Sequence, residues 1–335
     1  MDYGENTVKT MVGGTPLLEL HYRYQGKEES LFAKWEPYNP TGSIKDRMAA
    51  HILSVSRTTG KLKHKMPVIE ASSGNTGISF SAMASALGHP VVIFMPDWMS
   101  LERISLMKSY GAEVKLVSRE EGGFLASIQY ADQLAAEVGG FRPNQFSNEL
   151  NCQIHEAGTG REILKQLASL GKRPAGFIAG VGTGGTVMGV GRALKKARKT
   201  VRVHPLEPAN SPTLSVGKKI GKHRIQGISD DFIPPVVQLH ELDEIIGVDD
   251  GDSILMAQKL GSTLGLGVGI SSGANMIGAI LAKARFADAY NAEQVMVTVF
   301  ADDNKKYLST DFMKEEAVKS GFITPEVELL GVRSV

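Results

Sequence analysis

The sequence lacks the features that mark disulfide-stapled proteins, thiolate metal centres and nucleic-acid binders. Cys152 is the only cysteine among 335 residues, which excludes an internal disulfide and any metal site built from several thiolates. The 37 Lys and Arg residues nearly equal the 36 Asp and Glu residues, so the formal net charge is +1. Such a balance gives no general electrostatic attraction to nucleic acid or to an anionic membrane. We therefore expect a small-molecule partner and a reducing compartment.

Long apolar runs and metal-binding spacings are absent as well. No stretch approaches the roughly 18 apolar residues of a membrane span. The first ten residues carry Asp2, Glu5 and Lys9, where a signal peptide would be apolar. HExxH, paired-cysteine and EF-hand spacings do not occur. The sequence thus predicts a cytoplasmic protein that uses neither a metal nor a membrane.

Short β-branched runs alternate with longer segments of helical spacing along most of the chain. This alternation predicts an α/β protein in which helices wrap a parallel sheet, and 335 residues suffice for one large domain or two smaller ones. Apolar stripes predict helices at residues 46–56 and 101–110. The second would have Ser100 as its N-cap and would end at Gly111. The predicted strands are residues 31–35, 68–70, 91–95, 113–116, 176–179, 201–206 and 295–300.

The first loop with chemical character is the turn-forming run 39–47, which leads directly into a predicted helix. Lys45 falls at or near the first turn of that helix. The positive end of the helix dipole and the neighbouring Arg47 both disfavour a protonated lysine. Because the neutral amine is the form that makes a Schiff base, Lys45 is a candidate nucleophile.

A second loop, residues 72–77, lies between a predicted strand and a helix rich in small side chains. It contains three hydroxyl residues, two glycines and Asn75, more than a capped turn requires. Backbone N–H groups and hydroxyls that meet at a helix N-terminus bind anions. We interpret this loop as an anion-binding site.

The third loop, residues 180–186, follows an apolar strand and opens another helix, which predicts a phosphate cradle. Gly180, Gly182 and Gly185 also satisfy G-x-G-x-x-G, and Glu207 follows at the end of a predicted strand. A nicotinamide-dependent oxidoreductase requires that arrangement. It therefore stands as an alternative interpretation.

The fourth loop, residues 269–273, matches the G-x-S-x-G elbow of hydrolases with Ser271 as nucleophile. That fold places its histidine after the serine in the chain, and no histidine follows Ser271. The hydrolase interpretation therefore lacks its base.

Together the four loops resemble the cysteine synthase and cystathionine β-synthase family of pyridoxal 5'-phosphate (PLP) enzymes, fold type II. The resemblance runs from Gly13-Gly14-Thr15-Pro16-Leu17 to Tyr307-Leu308-Ser309-Thr310. It implies a tryptophan synthase β-like homodimer whose subunit has two three-layer α/β/α domains with mostly parallel, twisted sheets. Residues 1–12 and 36–153 would form the smaller, mobile domain, and residues 13–35 and 154–335 the larger domain that holds the cofactor phosphate.

The resemblance also assigns roles to residues of these loops. Lys45 would hold the cofactor covalently and act as the catalytic base, Asn75 would bond the ring oxygen, and Ser271 would face the ring nitrogen. A neutral serine at that nitrogen would favour elimination over transamination. The phosphate would lie on Gly182, Thr183, Gly184, Gly185 and Thr186. The amino-acid substrate would contact Ser72, Ser73, Gly74, Asn75, Thr76, Gln145 and Gly227.

The implied activity is replacement of the β-substituent of O-acetylserine, cysteine or serine, which makes or consumes cysteine and sulfide. Cysteine synthases typically have Gly-Ile-Gly-Ala-Gly-Phe where this chain has Gly227-Ile228-Ser229-Asp230-Asp231-Phe232. An aspartate at Asp231 is similar to cystathionine β-synthases and implies an alternative, a cysteine lyase or cystathionine β-synthase-like activity that releases hydrogen sulfide. Asp230 or Asp231 would then assist water or an amino-thiol nucleophile. The segment 301–304 also differs from the family's usual small residues.

Overall fold

The structure is a computed structural model that describes residue 8, residues 10–229 and residues 231–335. The larger of its two sheets contains β1 (Leu17–Tyr24), β2 (Lys27–Trp35), β6 (Arg173–Gly180), β7 (Arg202–Pro208), β8 (Ile246–Val248), β9 (Gln294–Phe300) and β10 (Glu328–Ser334). Their order across the sheet is β10-β1-β2-β9-β6-β7-β8. The five strands from β2 to β8 run parallel, and β1 is antiparallel to both of its neighbours.

The antiparallel edge of this sheet begins with a tight hairpin. Tyr24 of β1 pairs with Lys27 of β2, so only Gln25 and Gly26 connect the two strands. Both have positive φ angles, 50° and 75°, as the type of two-residue turn that matches strand twist requires.

The smaller sheet is fully parallel and consists of β3 (Val68–Ala71), β4 (Val91–Pro96) and β5 (Glu113–Val117). Four helices accompany it: α1 (Lys45–Thr58), α2 (Asn75–Ala86), α3 (Leu101–Ser109) and α4 (Gly123–Val138). One core joins α1, α2 and α3 to one face of the sheet. A second core packs α4 against the other face through Ile69, Ala71 and Phe94.

The larger sheet is also covered on both faces. Leu20 and Leu31 share a core with α9 (Asp250–Leu264) and α10 (Ile270–Arg285). Leu17 and Phe32, on the opposite face, share a core with α6 (Arg161–Ser169) and α7 (Gly185–Ala197). The predicted architecture of two three-layer α/β/α units is therefore confirmed.

The remaining helices are short. They are α5 (Leu150–Ile154), a π-helical turn (His155–Gly160) that joins α5 to α6, and α8 (Thr213–Val216). Single 3-10 turns cover Glu36–Tyr38, Leu239–Glu241, Ala287–Ala289, Asn304–Lys306, Asp311–Met313 and Thr324–Glu326. Within the described ranges, no helix combines the length and the apolar character needed to cross a bilayer.

All seven predicted strands are confirmed with small shifts of their ends, but β1, β8, β10 and the first half of β2 were missed. β1 reads Leu-Leu-Glu-Leu-His-Tyr-Arg-Tyr and β10 ends in Arg-Ser, so polar residues at the sheet edge dilute the apolar signal. The predicted cap of α3 is wrong in one respect. Ser100 occupies the N-cap position but makes no capping bond, because its hydroxyl donates to the carbonyl of Lys306. Gly111 follows the helix with a left-handed φ of 83°, as predicted.

Candidate active site

A cleft with an empty volume of about 890 Å³, partly open to solvent, lies where the loops of the two sheets meet. Residues from all four predicted loops line it, together with Gln145 and Gly227. The predicted residues on its wall are Lys45, Ser72, Ser73, Gly74, Asn75, Thr76, Gln145, Gly182, Thr183, Gly184, Thr186, Gly227 and Ser271.

Lys45 is the first residue of α1, as predicted. The preceding loop is tied to the end of β9, since Ile44 N donates to the carbonyl of Ala301 at 2.9 Å. The predicted effect of Arg47 on Lys45 is corrected by the structure. The buried Arg47 guanidinium pairs with Glu36 and Glu162, each at 2.7 Å. Its charge is thus compensated. Of the two predicted influences on Lys45, only the positive end of the helix dipole then applies.

The loop at residues 72–77 connects β3 to α2. Its shape depends on Ser72, whose hydroxyl accepts the N–H groups of Gly74 at 3.1 Å and Gly77 at 2.9 Å. Thr76 Oγ1 donates to Gln145 Oε1 at 2.7 Å, and Gln145 Nε2 donates to the carbonyl of Ala71 at 3.0 Å. Ser72 is therefore engaged within the loop, while Gln145 holds Thr76 at the cleft from outside the loop.

The loop at residues 180–186 connects β6 to α7, and three of its glycines allow very close contacts. A Cβ at Gly182 would lie 2.2 Å from the carbonyl oxygen of Gly227, and one at Gly185 would lie 2.0 Å from Asn151 Oδ1. Gly184 has a left-handed φ of 87° at the N-cap of α7. The N–H groups of this helix start are directed as an anion site requires. Gly185 itself packs against Asn151 rather than on the cleft wall.

The hydroxyls of the same loop are held by side chains from α5 and the π-helical turn. Asn151 Nδ2 donates to Thr183 Oγ1 at 2.9 Å, and His155 Nε2 lies 3.4 Å from Thr186 Oγ1. Burial, together with the charges of Arg47 and Lys45, lowers the pKa of His155 well below its ordinary value. The ring is therefore neutral at physiological pH and can exchange a hydrogen bond with Thr186 without adding charge.

Two of the alternative interpretations fail on geometry. Glu207, the carboxylate that a nicotinamide site would need, is buried and accepts hydrogen bonds from Leu214 N and from the backbone and hydroxyl of Ser215. Ser271 lies in the first turn of α10 on the cleft wall, and none of the described residues on that wall is a histidine. Cys152 is buried, and burial raises the pKa of its thiol to about 12, so it is not a thiolate nucleophile.

The two predicted catalytic aspartates lie in the loop after Gly227, and the structure describes one of them. Asp230 lies outside the described residues. Asp231 is absent from the wall of the Lys45 cleft and lines an adjoining cavity that shares Ser73 and Gly227 with it. Its carboxylate forms an ion pair with Lys219, and a third of its side chain is exposed. Asp231 is therefore at the outer end of the site.

Ser229, in the same loop, has a φ of 55°, a left-handed conformation that strains a residue with a side chain. Its hydroxyl contacts the carbonyl of Ser211 and Thr213 Oγ1, both at 3.1 Å, and its N–H donates to Val181 O at 2.8 Å. These bonds hold the loop against the strand end that carries the glycine cradle.

Several residues at the site had no sequence signal. Arg103 of α3 lines the cleft with 1% of its surface exposed, and its Nε and Nη1 have no hydrogen-bond partner within the described part of the chain. Phe146 meets Phe124 and Phe232 edge to face at centroid distances of 5.9 and 5.1 Å. Asp302 accepts a hydrogen bond from Asn75. Arg103, Phe124 and Phe146 line the cleft, and no motif gave them a role, because tertiary contacts bring them there.

Comparison with known proteins explains the cleft. Residues 8–302 match the family model described as pyridoxal-phosphate dependent enzyme. The chain belongs to this family. A probable cysteine synthase of Bacillus subtilis (strain 168) is 39% identical over 302 residues, which cover 90% of this chain and 95% of that protein.

Two solved structures resemble this PLP-family chain over its whole length. The hydrogen sulfide-producing enzyme of Fusobacterium nucleatum is 51% identical with a TM-score of 0.94, and the match covers 100% of both chains. An aspartate-to-asparagine mutant of a hydrogen sulfide-producing enzyme, in complex with an α-aminoacrylate intermediate, is 52% identical with a TM-score of 0.94 over 99% of each chain. The fold is therefore PLP fold type II.

The residues of the cleft fit that cofactor. Gly182 and Gly184 permit a phosphate to approach the start of α7, where any side chain would meet Gly227 O or Val237. Lys45 supplies an amine on the wall of the same cleft. Asn75 also lies on this wall, and its amide nitrogen can donate a hydrogen bond to a ring oxygen. The cofactor of the family is thus compatible with this donor set.

Proposed function

We propose that the protein replaces the β-substituent of cysteine and releases hydrogen sulfide. The observation that carries this proposal is the Asp231 carboxylate in a cavity that adjoins the Lys45 cleft. A carboxylate there can activate a nucleophile other than sulfide. The hydrogen sulfide-producing enzymes, about half identical to this chain over its full length, support the same conclusion.

The cofactor would be held by the residues of the glycine cradle. We assign its phosphate to Gly182, Thr183, Gly184, Gly185 and Thr186, its ring oxygen to Asn75, and its ring nitrogen to Ser271. When bound, PLP captures the amino group of the substrate and withdraws electrons from Cα, which acidifies the Cα proton and allows the β-substituent to leave. Lys45 holds the cofactor between turnovers and takes the Cα proton during them.

The substrate carboxylate would bind at the loop that α2 follows. Ser73, Gly74, Asn75 and Thr76 offer backbone N–H groups and hydroxyls at the start of that helix. Gln145 adds an amide that already contacts Thr76. Ser72 and Gly227 complete the wall without a free hydrogen-bonding side chain of their own.

Asp231 would act on the second half of the reaction. The sulfur leaves as hydrosulfide in the first half of the reaction, while Lys45 keeps the Cα proton. In the second half Asp231 takes a proton from water as the water oxygen bonds to the β-carbon, and Lys45 returns its proton to Cα. The proton on Asp231 then passes to hydrosulfide, so that cysteine and water give serine and hydrogen sulfide. A thiol in place of water gives a thioether. The Lys219 ammonium forms an ion pair with this carboxylate. Asp230 is the alternative base in the same loop.

Synthesis of cysteine from O-acetylserine and sulfide is the second candidate. It rests on the cysteine synthase relatives, 37–39% identical over about nine-tenths of the chain. The same cleft serves both reactions, because they differ in the leaving group and the nucleophile. A panel of cysteine, O-acetylserine and serine against water, sulfide, cysteine and homocysteine, with products identified by mass, decides between them.

Replacement of Lys45 by alanine tests the centre of the proposal. We expect Lys45→Ala to lose turnover and the visible absorbance of lysine-bound PLP, because no other amine of the cleft wall can replace it. Lys61→Ala changes an exposed lysine in the loop that follows α1; this control should keep both. An active Lys45→Ala protein with unchanged absorbance would end this proposal.

The role of Asp231 requires a separate test. Asp231→Asn should slow hydrogen sulfide release from cysteine by roughly 100-fold or more, as expected for loss of a general base, while absorbance shows that PLP remains bound. Asp311→Asn, which removes an exposed carboxylate paired with Lys314, is the matched control. Unchanged rates with every nucleophile would assign the base elsewhere.

The proposal extends to organisation and location. Residues 1–12 and 36–153 would form a mobile domain that closes the cleft over the substrate and excludes water, against residues 13–35 and 154–335. Hydrogen bonds such as Ser309 Oγ to Glu102 at 2.7 Å join the two units. A cytoplasmic homodimer is inferred from the family, and sedimentation and cell fractionation test it.

A further inference from the structure

Asp302 is a fully buried carboxylate at the meeting point of three active-site loops. Its backbone forms a bridge with Ser43, two residues before Lys45. Its carbonyl accepts the N–H of Gly269, two residues before Ser271, at 3.0 Å. Its side chain reaches Asn75. Asp302, which follows β9, thus contacts the loops of Lys45, Asn75 and Ser271.

The contact with Asn75 fixes the orientation of an amide. Asp302 Oδ2 accepts hydrogen bonds from Asn75 Nδ2 at 2.7 Å and from Tyr307 Oη at 2.6 Å. Because a carboxylate can only accept, the atom of Asn75 that faces Asp302 must be the amide nitrogen. Asn75 lines the cleft, so its second N–H is left to donate there, while its buried Oδ1 has no partner within the described part of the chain.

The surroundings of Asp302 preserve this arrangement. Burial and the Asp302 charge raise the pKa of Tyr307 well above its ordinary value, so the phenol remains a donor. The Arg103 guanidinium lies 4.6 Å from the centroid of the Tyr307 ring, a cation–π contact that helps to hold the ring in place. A Cβ at Gly269 would lie 2.2 Å from Asp302 Oδ1, so glycine makes room for the carboxylate.

A carboxylate with only a packing role would be a poor choice at this position. Buried charges can often be replaced by apolar groups without loss of stability. Gly269 and the Tyr307 phenol instead leave room for the carboxylate and orient its Oδ2. Among the described residues of the cleft wall, Asn75 is the one that forms a hydrogen bond with this side chain.

We propose that Asp302 is a positioning residue that sets the Asn75 amide for the cofactor ring. Its hydrogen bond holds the amide in one of two possible orientations, with a donor rather than a random mixture of donor and acceptor offered to the ring oxygen. This inference rests on the proposed role of Asn75 at that oxygen. Asp302 would keep the Asn75 amide from flipping, so that its nitrogen always faces the same way.

The test measures cofactor affinity rather than turnover. Apoprotein is titrated with PLP, and visible absorbance gives the apparent Kd. Asp302→Ala should weaken binding roughly tenfold to a hundredfold, the usual range for a hydrogen bond to a charged group. Asp302→Asn should recover most of the affinity, since one amide oxygen can accept from both Asn75 and Tyr307.

Combination of Asp302→Ala with Asn75→Ala tests the role of Asp302 separately from the role of Asn75. If Asp302 acts through Asn75, Asp302→Ala has no further effect in an Asn75→Ala protein. A full additional loss there, or Asp302→Asn as weak as Asp302→Ala, overturns the inference. If Asn75→Ala alone leaves the Kd unchanged, the assumed role of Asn75 fails first.

Two further variants guard against a folding artefact. Asp302→Ala leaves the Tyr307 hydroxyl unpaired, so the double variant Asp302→Ala/Tyr307→Phe removes both groups, and thermal unfolding of the apoprotein reports on the fold. It should show the same loss of PLP affinity as Asp302→Ala, and normal affinity would overturn the inference. Asp303→Ala, which removes the neighbouring carboxylate beside Lys306, is the matched control and should change the Kd by less than about twofold.

Discussion

The glycine cradle at residues 180–186 and the loop at residues 72–77 both lie between a strand and a helix, yet they are supported differently. The cradle owes its shape to backbone contacts, since Gly182 and Gly184 leave no space for a side chain. The other loop owes its position to side chains distant in sequence, Gln145 and Asp302. The cradle proposed for the phosphate is thus built almost wholly from a local motif, whereas the loop proposed for the substrate carboxylate depends on tertiary support.

The largest effect that would test this difference between the two loops is expected at the cradle. Gly182→Ala should weaken PLP binding at least tenfold, because the added methyl would lie 2.2 Å from the backbone oxygen of Gly227 and overpacking of this kind costs about 1–3 kcal/mol. The apparent Kd from absorbance titration measures it. Gly331→Ala, where a Cβ meets nothing within 4 Å, is the control. Equal affinity in both variants would show that the cradle tolerates side chains.

Gln145 should give the opposite signature. We expect Gln145→Ala to lower kcat/KM by roughly tenfold to a hundredfold, through loss of a hydrogen bond to a charged substrate group, and to leave PLP affinity nearly unchanged. Gln153→Ala, on the exposed side of α5, should behave as wild type. A Gln145→Ala protein that loses PLP instead of substrate affinity would erase the distinction between the two loops.

The smallest expected effect concerns His155 and the pH dependence of the free energy of unfolding. Its pKa is lowered on folding, so the unfolded chain binds more protons and the folded state loses stability as the pH falls below about 6.5, by up to about 1.4 kcal/mol per pH unit for one group. His155→Gln should lessen this loss between pH 7 and 5 in denaturant unfolding. The exposed His21→Gln should not, and equal slopes in all three proteins would contradict the prediction.

Most of the cleft could be predicted from motifs. The four loops, the start of α1 at Lys45 and the parallel core strands follow from local apolar runs and turn residues. The division between the two activities could not be predicted, because it depends on where Asp231 points, and neighbouring residues of an extended segment point in opposite directions. The strands β1 and β10 were missed because polar residues interrupt their apolar pattern.

The sequence by itself determined that two helices start from glycine- and hydroxyl-rich loops and that a third helix starts at Lys45, because glycine and hydroxyl residues act on the backbone next to them. Only the tertiary structure decided what surrounds these loops. Arg47 is neutralised by Glu36 and Glu162, and Asn75 is oriented by Asp302, 227 positions away in the chain. Charge compensation and amide orientation depend on distances through space, which no local pattern of residues encodes.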